Sequence, residues 1–169
     1  MSWESVTASV CPIARSLAVI GDRWTLLLLR EIAMGVHRFD DLMAQTTMSS
    51  HLLTTRLRRM ESDGVVERRA YCHRPLRFEY HTTEKGKELD PILMLLRSWG
   101  RKWSGDQPPG ESAIDLRSRA SGTLVNSLAD AQQFEGFSFD DYDVELGPTF
   151  VRERADREAW HERHGRKSD

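Results

Sequence analysis

Cysteine is scarce in this chain: of 169 residues, Cys11 and Cys72 alone carry a thiol. Two are too few for a disulfide framework, so an apolar core has to hold the fold. Long hydrophobic runs are missing as well. The run from Trp24 to Leu29 is far too short to cross a bilayer, and a mean hydropathy of −0.54 argues against a membrane protein. The first residues show no basic stretch leading into an apolar segment and a small-residue cleavage site, so the expected compartment is the cytoplasm, with no membrane partner. A glycine-rich phosphate loop, a nucleophile elbow and a zinc signature are all absent. His161 and His164 could share a helix face, but nothing in register completes a metal site, and Asp40-Asp41 reads better as a helix first turn than as catalytic carboxylates. The sequence therefore predicts no enzyme, no cofactor and no metal.

What is present suffices for a core, since 39% of the residues are hydrophobic. The net charge of −2 hides an asymmetry: residues 1–103 hold 16 Lys and Arg against 12 Asp and Glu, while residues 104–169 hold 8 against 14. Seven arginines fall between residues 48 and 81 against four acidic residues. A polyanion partner suits the first part despite the acidic whole, although a merely solvated charged surface has the same composition.

Pro12 suits a helix first turn, Ile13, Leu17 and Ile20 give that helix an apolar edge, and Gly21 ends it. Asp22 can cap the next helix, Trp24–Met34, whose four leucines are apolar all round and predict a central position. His37–Phe39 suggests a very short strand and Asp40–Gln45 a brief helix. Ser49 then caps a helix running to Asp63, with Gly64 closing it. Leu53, Leu57 and Met60 recur at core spacing on one face, leaving His51, Thr54, Thr55 and Arg58 on the other. Two strands, Val65–Tyr71 and Arg77–His81, follow around the turn His73-Arg74-Pro75. A reading helix before a basic hairpin is a winged helix-turn-helix.

In that arrangement Ser50, His51, Thr54 and Thr55 are candidates to read bases, Ser49 to touch the DNA from the helix start, and Arg56, Arg58 and Arg59 to grip phosphates, with Arg58 equally suited to a guanine edge. Arg74 and Arg77 near the hairpin tip would enter the minor groove or hold its phosphates. The alternative is a solvated helix with Arg58 or Arg59 paired to Glu61 or Asp63, and a hairpin tip charged only for solubility.

Thr82 or Thr83 is expected to cap a long helix reaching about Trp103. Leu89, Ile92, Leu93, Leu96, Trp99 and Trp103 form so broad a stripe that a second copy of the chain should meet it, unless residues 104–169 cover it entirely. Residues 104–110 read as a linker, Gly122–Val125 and Tyr142–Leu146 as short strands, and Arg152–His164 as a charged terminal helix. The expected class is α+β: a mainly helical winged helix-turn-helix domain (1–103) with a two-stranded wing and a long dimerisation helix, then an acidic extension (111–169).

Several stretches resemble the HxlR-type transcriptional regulators, a MarR-like winged-helix family. They are Cys11-Pro12-Ile13-Ala14, the run Ile20–Glu31, Arg38–Leu42, Leu53–Leu57, Asp63–Arg68 and Tyr80–Gly86, in order across residues 10–103. The resemblance implies a homodimer joined through its first and last helices, with two reading helices meeting a pseudo-palindromic operator in grooves about 34 Å apart. Some longer members carry a cysteine-containing ribbon tail, which residues 122–148 faintly resemble without any cysteine, so a metal-free tail is expected. Oxidant-sensing members use a cysteine where Cys11 stands, at a helix start one turn before Arg15, a setting that suits a reactive thiol. The alternative for Cys11 is a small buried hydrophobe. The sequence thus predicts a homodimeric regulator of double-stranded DNA, responsive to an unidentified small molecule or an oxidant. The competing reading is a winged-helix module that binds protein without DNA.

Overall fold

The computed structural model describes residues 8–104, 108–125 and 136–164. Four helices lead: α1 (Pro12–Ile20), α2 (Thr25–Ala33), α3 (Phe39–Thr46) and α4 (Ser50–Ser62). The wing follows as β1 (Val66–His73) and β2 (Leu76–Thr82), then α5 (Glu84–Lys87) and α6 (Asp90–Ser104). The extension adds β3 (Ile114–Ser118), β4 (Leu124–Val125), a 3-10 turn at Phe139–Asp141, β5 (Tyr142–Leu146) and α7 (Pro148–His164). None of the described helices is long and apolar enough to cross a membrane.

The main core gathers Leu28, Leu29 and Ile32 of α2, Leu42 of α3, Leu53, Leu57 and Met60 of α4, and Val65 and Val66 entering the wing. Gly64, at φ 71°, turns the chain out of α4 in a backbone region that favours glycine. Gly86 is needed for space: a Cβ there would lie 2.1 Å from the Val65 carbonyl oxygen. That close approach lets the Thr83 hydroxyl reach the Gly64 carbonyl at 2.6 Å and seat the wing root against the end of α4.

The expected long helix after the wing is two helices. Thr83 caps α5 as predicted, its hydroxyl accepting from the Gly86 amide at 3.1 Å. Pro91 cannot donate to the Lys87 carbonyl, so the helix stops after Lys87 and restarts at Asp90. The four leucines of α2 are also less enclosed than expected. Leu28 and Leu29 are buried, whereas Leu27 stays exposed beside α6. His37–Phe39 contributes a single bridge, Arg38 to Glu79, in place of a strand.

The extension holds a strand the sequence reading missed. β3 is the centre of an antiparallel β4-β3-β5 sheet, with Leu116 opposite Val144 and Val125. A second core joins Met94 of α6 to Leu116 and Phe137. Helix α7 then returns to the first domain. Phe150 is buried beneath the guanidinium groups of Arg30, Arg154 and Arg157, each within 6 Å of its ring centroid. Glu31, wholly buried, accepts from Arg30 at 2.5 Å and from Arg154 at 2.6 Å, while Gln45 of α3 donates to Glu158 at 2.6 Å. The predicted linker falls partly on residues 105–107, outside the described residues.

Candidate DNA-reading face

Helix α4 is presented by its caps and its core stripe. The Ser49 hydroxyl accepts from the Leu52 amide at 3.3 Å, fixing the helix start. Leu53, Leu57 and Met60 are essentially inaccessible, which fixes the rotation of the helix about its axis. Ser50, His51, Thr55, Arg58 and Arg59 are exposed and Thr54 half-buried on the other side. The Thr55 hydroxyl donates to the His51 carbonyl at 2.9 Å, leaving its lone pairs as acceptors.

The arginines divide by partner. Arg59 pairs with Asp63 at 2.9 Å, the i,i+4 pairing that the solvated-face alternative invoked. Arg56 departs from its expected place as a phosphate anchor. It is half-buried, 3.2 Å from Asp22 in the turn after α1, and ties the reading helix to that turn. Asp22 in turn accepts from the Trp24 and Thr25 amides at 2.8 and 3.1 Å, as its predicted capping role requires. Burial alone would raise the Asp22 pKa, but the Thr25 hydroxyl, these amides and the Arg56 cation together hold it below the usual carboxylate value. Arg58, by contrast, stands exposed with no carboxylate against it among the described residues.

The wing carries the rest of the positive charge. Its strands pair from Val66↔Thr82 to His73↔Leu76, and Arg74 and Arg77 lie exposed at and beside the turn. A bulge between Ala70 and Cys72 leaves Tyr71 without a partner. Bulges re-aim side chains, and here Arg38 lies 4.7 Å over the Tyr71 ring while bridging to Glu79 at 3.3 Å. Arg68 similarly covers Phe78 and pairs with Glu61 at 2.9 Å. The sequence reading missed Arg38 and Tyr71 because only the fold, through the Arg38–Glu79 bridge, brings these distant residues together. At the wing root, His37 and His81 stack with centroids 4.2 Å apart. Desolvation first, then His37 and Arg69, hold the His81 pKa below the ordinary imidazole value.

A second surface lies apart from the first. Leu89, just before α6, and Leu93 on it are partly buried against the main core, although the stripe placed them with the residues facing a partner. Ile92, Leu95, Leu96, Trp99 and Trp103 remain outside, the two tryptophans 64% and 68% exposed. Ile13 and Leu17 of α1 are exposed as well. Cys11 is an exposed free thiol at the N-cap of α1.

Residues 19–108 match the profile of the HxlR-like helix-turn-helix family. The chain is 35% identical over 98 residues to an uncharacterised HTH-type transcriptional regulator of Synechocystis, sll1512, covering 57% of this chain and 73% of that one. Among solved structures, PA1607, described as a candidate transcription factor, is 34% identical with a TM-score of 0.63, covering 73% of this chain and 85% of its own. The oxidised form of the redox regulator HypR is also 34% identical, with a TM-score of 0.51, covering 54% of this chain and 96% of its own.

Proposed function

The chain belongs to the HxlR-like helix-turn-helix family and is a DNA-binding transcriptional regulator of that kind; we propose that it acts as a homodimer on a pseudo-palindromic operator. The observation that carries this reading is a pair of surfaces on one small domain. One is an exposed polar helix face beside a basic wing tip, and the other an exposed apolar helix face. Arg58, Arg74 and Arg77 supply cations to phosphates or guanine edges, and His51, Thr54 and Thr55 supply groups for base edges. Ile92, Leu96, Trp99 and Trp103 meet their two-fold mates, and that symmetry sets the two reading helices one groove repeat apart.

The affinity for DNA responds to a small molecule or an oxidant, in this proposal. The oxidant arm acts through Cys11, supported by its exposure at a helix start and by the likeness to a redox regulator. Selection of bound fragments from random duplex DNA, followed by a salt titration on the winning sequence, tests the reading. Enrichment of a two-fold motif with a steep loss of affinity in salt is the expected result. Failure to enrich any motif, with binding to protein partners intact, would favour a protein-interaction module.

A further inference from the structure

A groove of about 520 Å³ runs between α2, α6 and the extension, beside the apolar face of α6. One wall comes from Leu26, Met34, Leu93 and Met94. The other comes from Ala113, Ile114, Phe139 and Phe150, all beyond residue 108, where the family match ends. The extension therefore builds half of this site onto a framework shared with the relatives.

The lining selects a chemistry. The volume lies in the range of small-molecule sites, and the walls are mostly apolar with two thioethers and two aromatic rings, which adapt to a flat hydrophobic guest. Five charged side chains stand in the lining, and each already has a partner. Arg30 donates to Glu31, and Arg97 to the Ser112 hydroxyl and the Ile114 carbonyl, with the Asp115 carboxylate 3.5 Å away. Arg101 is likewise engaged. Glu111 accepts from the Thr149 amide at 2.5 Å and from its hydroxyl at 3.1 Å, and Glu153 pairs with Arg157. An anionic guest would lose its hydration to meet cations that are already engaged, and a cationic one would have to displace the Thr149 hydrogen bonds to reach Glu111. We propose that this groove is a binding site for an uncharged, largely hydrophobic small molecule.

The site would couple to the rest of the molecule through Leu27 and Leu96, which line the groove and also belong to the exposed apolar surface. The inference goes beyond the regulator reading, and its binding test uses no DNA, so either can fail alone.

The test titrates the full chain with N-phenyl-1-naphthylamine, an uncharged probe that brightens in apolar surroundings, and with its anionic relative 8-anilinonaphthalene-1-sulfonate. Saturable binding of the uncharged probe is expected, with the sulfonate weaker by about tenfold. Gly100→Leu projects a side chain into the groove from α6, where a Cβ meets nothing within 4 Å, so the variant should fold. It should weaken the uncharged probe by about tenfold, as should Ala113→Leu from the opposite wall. Probe binding unchanged in both variants would place the probe elsewhere and overturn the site. Equal affinity for the sulfonate would overturn the chemical class. Absence of saturable binding to the native chain would show the groove closed, by a second copy or otherwise, and would overturn the proposal.

Discussion

Helices α4 and α6 are both amphipathic, and they end in opposite situations. In α4 the apolar stripe is wholly covered by its own domain, and the polar face is left to solvent. In α6 the domain partly covers Leu93, the extension covers Met94, and five large apolar side chains remain outside. The same periodicity thus leaves a polar surface on one helix and an apolar one on the other. What decides is how many elements the chain can bring to each helix. An isolated exposed leucine is ordinary, but a contiguous face with two exposed tryptophans is the kind that meets another molecule.

The sharpest way to break this contrast is to make the outer face of α6 polar like that of α4. Leu96→Asp with Trp99→Asp should leave a folded monomer, because neither side chain lies in either buried core. Loss of the two-site linkage should weaken operator binding by about a hundredfold or more. Sedimentation velocity and an operator titration check this. A native chain that sediments as a monomer at micromolar concentration would remove the dimer from the proposal.

The helix-turn-helix and wing were legible because each carries a local signal: caps at Asp22, Ser49 and Thr83, the glycine at 64, and stripes of core spacing. Even there, periodicity alone could not say that Leu89 and Leu93 turn inward while Ile92 and Leu96 do not. Legibility failed wherever a partner comes from far along the chain. Nothing local marks Glu31 as buried, since its second guanidinium arrives from Arg154, 123 residues later. Arg56 looked like a phosphate anchor, and Asp22 claims it. β3 was invisible because Ile114–Ser118 alternates too briefly to stand out, and only pairing on both edges makes it the central strand.

That distant pairing gives the next prediction, which asks whether the extension is a separable tail. Arg154→Ala removes one of two cations from a carboxylate with no solvent access. Breaking a buried pair costs about 3–5 kcal/mol, and the remaining Arg30 reduces this to about 2–3 kcal/mol. Denaturant unfolding should show the loss in the transition of the DNA-binding domain itself. A transition unchanged there, with only α7 melting early, would show the extension to be thermodynamically independent.

The polar face of α4 predicts a smaller and more specific effect. Thr54→Ala or His51→Ala should change which base pairs are preferred, at about 1–3 kcal/mol per lost contact. Arg74→Ala should weaken all sequences alike and reduce the salt slope by about one. Arg56→Ala should act differently from Arg58→Ala, loosening the turn that holds α4 and lowering stability along with affinity. If charge reversal at Arg58 and Arg74 together leaves operator binding intact, the docking face lies elsewhere.

The smallest effect belongs to the residue that begins α6 and ties it to the extension. Asp90 is buried, and desolvation pushes its pKa from the usual 3.8 up to about 6, against hydrogen bonds from the Phe139 amide at 3.1 Å and from Ser138. Asp140 adds to the rise and Lys87 opposes it. Between pH 4 and 6 the folded chain therefore holds a proton that the unfolded chain has released. By linkage this group makes stability fall as pH rises through that window, with its full cost present above pH 6. Asp90→Asn keeps an acceptor for the Phe139 amide and carries no charge. It should raise neutral-pH stability by about 1 kcal/mol, less than the full shift implies, because nearby charges and solvent screen part of it. The gain should shrink toward pH 4, where the native carboxyl is protonated in the folded state. Unfolding curves of both chains at pH 4.5 and 7.5 give the comparison. A gain of equal size at both pH values would mean that Asn improves the packing at Phe139 rather than relieving a buried charge, and the α6–extension joint would then contribute no pH dependence of its own.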